Sequence, residues 1–150
     1  MMNERNTRPG ERFTMAKDGM TDKRTVLLVG HCGPDSWMLR STVERTLGAE
    51  ARMVNSAADL EKSIDEASLL LVNRVLDGRF ETESGIELIR QLAQTRAHGP
   101  KSILISNYED AQEAAEAAGA APGFGKAELN SEKAAERMRA AIESSSSSAA

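Results

Sequence analysis

Cysteine is nearly absent from this chain: Cys32 stands alone, which excludes an internal disulfide and any metal site built from several thiolates. Aromatic residues make up only 3% of the sequence, so a core has to come from Leu, Ile, Val, Met and Ala. No apolar run approaches the ~18 residues needed to cross a bilayer. Residues 1–23 mix acids and bases with no apolar stretch, which excludes a secretory signal. A soluble protein of a reducing compartment, the cytoplasm, is expected, with no membrane partner.

What is present amounts to one domain with tails. At 150 residues the chain has no room for a second domain of ordinary size. Its net charge of −4 is unevenly spread. Residues 1–24 hold six Lys/Arg against four Asp/Glu, a balance of +2, which leaves −6 on the rest and makes nucleic acid an unsuitable partner for the folded body. Residues 1–23 read as a disordered leader, 24–143 as the folded domain, and the Ser-rich 144–150 as a flexible tail, since neither end has apolar content to offset the entropy of ordering.

Within the domain, strand-like and helix-like segments alternate. Strands are expected at 25–29, 51–55, 69–73, 102–105 and, weakly, 121–125, where a proline and two glycines suit only an edge. Helices are expected at 35–47, with Leu39, Val43 and Leu47 on one face and Gly48 as the stop, and from 56, opened by Ser56 and Asp59. Further helices are expected at 85–96 with Ile86, Ile89 and Leu92/Ala93 inward, at 107–118 capped by Asn107, and at 129–142. Five strand–helix repeats predict an α/β fold: a parallel sheet covered by helices on both faces, with a site at the carboxyl ends of its strands. The third strand, Leu-Leu-Leu-Val-Asn at 69–73, is a buried aliphatic run that ends on Asn73 at that edge.

The landmarks VLLVG at the first strand, LLLVNRVLDG with SGIELIRQL at the third, ILISN at the fourth and GAAPGFGK before the last helix resemble the response-regulator receiver domain. That is the flavodoxin-like phosphoacceptor module of two-component, phosphorelay-type signalling. The resemblance spans about 120 residues. It implies an acidic pair and an aspartate that bind magnesium and accept a phosphoryl group, with a Ser/Thr and a Lys contacting the phosphoryl oxygens. Ser106 and Lys126 match the last two. The acidic half does not match: Gly30 and His31 stand at the pair, and Asn73 at the acceptor. A neutral amide is a poor acceptor, so the resemblance implies an atypical stand-alone pseudo-receiver. Such a module has no catalysis, no bound magnesium or other cofactor, no metal site, and an effect exerted through a protein partner such as a sensor kinase. The surface implied for that partner includes Tyr108, Glu109 and Phe124. Against this, the acidic 107–118 helix is also what a merely solvated face looks like. The proline that usually follows the lysine is Ala127, and the switch aromatic is replaced by Gly123, with Phe124 one place late.

Two alternatives stay open. Gly85 lies eight residues after Asp77 and twelve after Asn73. If the third strand ran on through Val75 and Leu76, Asp77 would be the acceptor of a conventional receiver. That register would bury Asn73 and Arg74 inside a strand, which is costly unless they are paired. The other alternative is a small metal-binding or thiol enzyme using His31 and Cys32, although only His98 remains as a further soft ligand. Lys126 with Ser106 is left to attract an anion or, instead, to bond Asn73.

Overall fold

A computed structural model describes residues 24–149; the expected leader, 1–23, lies outside the described residues. Five strands, β1 (Thr25–Val29), β2 (Glu50–Val54), β3 (Leu69–Asn73), β4 (Lys101–Ile105) and β5 (Ala121–Phe124), form one sheet in the order β2-β1-β3-β4-β5. All pairings are parallel. The helices are α1 (Gly33–Leu47), α2 (Ala57–Ser63), α3 (Gly85–Thr95), α4 (Glu109–Ala118) and α5 (Glu132–Ala149), with single 3-10 turns at Ile64–Glu66 and Lys126–Glu128.

The aliphatic runs explain this arrangement. Alternate side chains of a strand point to opposite faces, so a strand apolar at every position has to be covered on both. Val26, Leu28, Leu69, Leu71, Ile103, Ile105 and Phe124 pack on one face with Leu39 and Val43 of α1 and Ala134 and Met138 of α5. Leu27, Val29, Leu70, Val72 and Leu104 pack on the other with Leu60, Ile64, Ile89 and Ala115. Each such Leu, Ile or Phe contributes about 1.5–3 kcal/mol by leaving water.

Several boundaries differ from expectation for identifiable reasons. Helix α1 begins two residues early because Pro34 fits its first turn, and it ends where Gly48 takes φ 63. Inside α3, Leu88 is buried and Ala93 is exposed, correcting the expected inward set. Asn107 does not cap α4. The N-cap is Tyr108, which makes no side-chain cap bond, while Asn107 Oδ1 accepts from the Ala127 N–H at 3.2 Å and holds the β5–α5 loop instead. The last helix starts at Glu132 after the 3-10 turn, and its backbone runs past Ile142 to Ala149, over the stretch expected to be a flexible tail. Neither glycine nor proline is present there to stop it.

The two edges of the sheet are unlike its centre. Strand β5 carries Pro122, and its pairing with β4 slips, Ile103 facing Ala121 but Ile105 facing Phe124. At the other edge, β2 presents Glu50 and Arg52, which also reaches Glu66 of the 3-10 turn after α2.

Candidate functional site

The carboxyl ends of β3 and β4 open on a cavity of about 390 Å³ lined by Asn73, Arg74, Val75, Ile105, Ser106, Asn107, Tyr108 and Lys126. The edge is where the sequence places it, because each strand ends as its aliphatic run gives way to a polar residue. Asn73 is the last residue of β3 and pairs with Ile105. Asp77 is exposed in the loop that follows and is not part of the lining. The strand therefore does not continue through Val75 and Leu76, and the rival register is not the one adopted.

Asn73 uses its amide as a donor. Its Nδ2 donates to the Gly30 carbonyl at 3.0 Å and to the Val75 carbonyl at 2.8 Å. A carboxylate, which only accepts, cannot make either bond. The Gly30 carbonyl also accepts from the Asp77 N–H at 2.9 Å, so one backbone oxygen gathers the third-strand amide and the loop beyond it.

Residues 74–84 are ordered across the ends of β1 and β2. Leu76 N–H donates to Glu83 O at 2.8 Å, Arg79 N–H to Asn55 O at 2.8 Å, and Ala57 N–H to Arg79 O at 2.9 Å. This path carries Leu76, 7% exposed, down onto Gly30. Gly30 has φ 75, and a Cβ added there would stand 2.6 Å from Leu76 Cδ2. At the position where the receiver resemblance requires an acid, a side chain would thus need a strained left-handed backbone and a shift of Leu76.

His31 does not reach the cavity. It is 1% exposed, and its Nε2 lies 2.8 Å from the Leu71 carbonyl. A carbonyl only accepts, so the proton sits on Nε2 and Nδ1 keeps a lone pair that finds no partner among the described residues. Burial, followed by the repulsion of Lys126, pulls its pKa down to about 4 against the opposing bond to Leu71 and the attraction of Asp35. It is a neutral, inward-facing ring. Cys32 is the N-cap residue of α1, and His98 is exposed in the turn after α3, so the two histidines and the thiol are not brought together as a metal or thiol centre would need. Among the described residues no group of three or more His, Cys, Asp and Glu converges.

On the β4–β5 side, Ser106 is buried and its Oγ accepts from the Tyr108 N–H at 3.1 Å. Lys126 does not bond Asn73. Its Nζ pairs with Asp35 Oδ2 from the first turn of α1, a short contact between side chains 36% and 22% exposed. That bond to Lys126, aided by one from the Cys32 thiol, holds the Asp35 carboxyl below the usual carboxylate range. Asp35 is the functional-site residue that sequence reasoning missed. It stands in the sequence only as an acid in the first turn of a helix, where the helix dipole already accounts for it.

Of the expected partner surface, Tyr108 is 59% exposed, with the Arg74 guanidinium 5.0 Å from its ring centroid, and Glu109 is exposed. Phe124 is 1% exposed and belongs to the core, which corrects its assignment to that surface. The slip in β5 turns its side chain inward opposite Ile105.

No family model matches the sequence, and no curated protein is similar to it at a significant level. Solved structures are similar in shape. The signal receiver domain of a DNA-binding response regulator from Colwellia psychrerythraea 34H superposes with a TM-score of 0.63 at 16% identity, over 81% of this chain and 99% of that one. A CheY-like response regulator receiver domain from Methanospirillum hungatei JF-1 gives 0.60 at 18% identity, over 84% and 98%. HP1043, an orphan response regulator of H. pylori, gives 0.60 at 15% identity, over 79% and 96%. With five parallel strands in this order and helices on both faces, the chain has the flavodoxin-like fold of response-regulator receiver domains.

Proposed function

We propose that the chain is a signalling module that keeps the receiver fold but works without aspartyl phosphorylation, magnesium or catalysis, through contact with a protein partner. The carrying observation is the Asn73 amide, whose Nδ2 is committed to the carbonyls of Gly30 and Val75. An acceptor side chain has to present a free anionic oxygen to the incoming phosphorus, and this one presents a neutral amide already anchored through its nitrogen.

The surroundings support the same reading. Magnesium takes hard oxygen ligands in a near-octahedral set. Here one of the acid positions is filled by Leu76 over Gly30, the next by a ring turned into the core, and the nearby Asp35 carboxylate is paired with Lys126. The donor set does not fit the ion. Protein partners of the receiver fold, sensor kinases among them, remain the natural class of contact. Tyr108 and Glu109 at the start of α4 are exposed to meet one.

The test is incubation with acetyl phosphate and magnesium followed by intact mass. The native chain and Asn73→Asp are both expected to remain unmodified. A phosphoryl adduct on the native chain that disappears in Asp77→Ala would overturn the proposal in favour of the loop aspartate. Labelling of Asn73→Asp would show that the first loop can hold the cation after all.

A further inference from the structure

Gln112, on the second turn of α4, reaches across to the sheet. Its Nε2 lies 2.9 Å from Leu104 O, 3.0 Å from Ser106 O and 3.3 Å from Phe124 O. The three oxygens belong to three places: the interior of β4, its exit toward α4, and the end of β5. One NH2 group has two hydrogens, so at least one is shared between carbonyls, a pattern that fixes the amide's orientation. The opposite flip would turn Oε1 onto three acceptors. In the observed orientation Oε1 is buried without a partner among the described residues, so the donor bonds are made at the expense of an unpaired oxygen.

The room for this amide comes from Gly123. A Cβ at 123 would stand 2.6 Å from Gln112 Oε1. The amide also sits at the slip in β4–β5 pairing, where Leu104 lies between the two residues in register, Ile103 and Ile105. Two further bonds converge on the same segment: Ser106 N–H donates to Phe124 O at 3.1 Å, and Arg137 Nη1 of α5 donates to Gly123 O. Ser106, the buried hydroxyl of the cavity, is thus tied through its own carbonyl and amide to β5 and α4.

We propose that Gln112 is a latch that holds β4, α4 and β5 in one arrangement, so that the surface of α4 and β5 is fixed whatever happens in the cavity at Asn73 and Lys126. This goes beyond the absence of phosphoryl chemistry and does not depend on it, since the latch lies between Ser106 and β5 rather than at Asn73. On the signalling role proposed above, a module latched in this way presents one constant surface to its partner rather than a change of shape.

The experiment is amide hydrogen exchange and 15N relaxation dispersion on the full chain, comparing the native protein with Gln112→Met and Gln112→Glu. Methionine keeps the length and bulk of the side chain without the NH2, and glutamate turns an oxygen onto the three carbonyls. In the native chain, flat dispersion profiles are expected for residues 104–112 and 121–125. In both variants, exchange at the Ser106 and Tyr108 amides should speed up by about tenfold or more, the loss of roughly one hydrogen bond's worth of protection, while amides of β1 and β3 keep their native rates. Native profiles that already show slow exchange in these segments would overturn the latch. So would a Gln112→Met protein with native rates, because the side chain would then contribute only packing. Acceleration spread evenly over the whole sheet in both variants would also overturn it, since Gln112 would then be an ordinary contributor to global stability.

Discussion

The two halves of the cavity edge satisfy their polar groups by different means. On the β1–β3 side, Gly30, His31 and Asn73 are bonded to backbone carbonyls or packed beneath a leucine, and none carries a charge at neutral pH. On the β4–β5 side, Ser106 and the charged Lys126 persist, and the lysine is balanced by Asp35 from a different element. The difference shows that the side without carboxylates is filled rather than hollow. The neutral half is part of the folded scaffold, whereas the Lys126–Asp35 pair of the charged half is partly open to solvent. The two should therefore differ in what their loss costs, and that contrast can be broken by experiment.

The largest effect is expected at Gly30. Alanine there meets both a left-handed backbone and Leu76, and should lower unfolding free energy by about 3–4 kcal/mol in urea titrations. A change below about 1 kcal/mol would mean that Leu76 can move aside and the neutral half is not scaffold.

Next is the pH dependence carried by His31. Its folded pKa, about 4, lies below the ordinary 6.5, so between these values the unfolded chain takes up a proton that the folded chain does not. Its stabilisation is complete above pH 6.5 and is lost as the pH falls toward 4, by about 3 kcal/mol in all. Subtracting the pH profile of His31→Leu from that of the native chain should isolate this slope; parallel profiles would place the ring in a protonatable site.

Asn73→Asp should cost about 2 kcal/mol at neutral pH, because a carboxylate would face the two carbonyls its NH2 now bonds. Asp77→Ala, at an exposed side chain, should stay within about 0.5 kcal/mol. Equal costs for the two would sharpen doubt about the neutral half. The smallest effect belongs to the charged half: Lys126→Ala should cost only about 0–1 kcal/mol, because solvent screens a pair exposed to this degree. If it exceeded the Asn73→Asp cost, the contrast between the halves would be reversed.

The sheet was legible because fully buried strands announce themselves as unbroken aliphatic runs. The place of Asn73 at the mouth followed from the cost of burying Asn73 and Arg74 in a strand. What could not be read was set by distance and by irregularity. Lys126 and Asp35 are separated by 91 positions, and nothing local in either segment announces the other. Phe124 reads as a displaced surface aromatic because the resemblance places an aromatic one position earlier, and the slip that sets its side chain opposite Ile105 in the core leaves no mark in the sequence. Gln112 looked like one more polar residue on an acidic helix, since its three partners are backbone oxygens, which leave no mark in a sequence. His31 reads in the sequence as an acidic-pair position or a candidate ligand beside Cys32, and its burial and bond to a carbonyl of β3 depend on the packing of the assembled sheet.

The edges of the sheet bear on how the protein behaves in a crowded solution. A flat strand with unpaired backbone groups is a template on which further copies can stack into fibrils. At one edge Pro122 removes a donor and the slip beside it breaks the regular spacing that an incoming strand would have to match. At the other, Glu50 and Arg52 set charges along the exposed strand. The same proline and slip that make β5 a poor strand thus also make it a poor template for side-by-side growth of an aliphatic sheet.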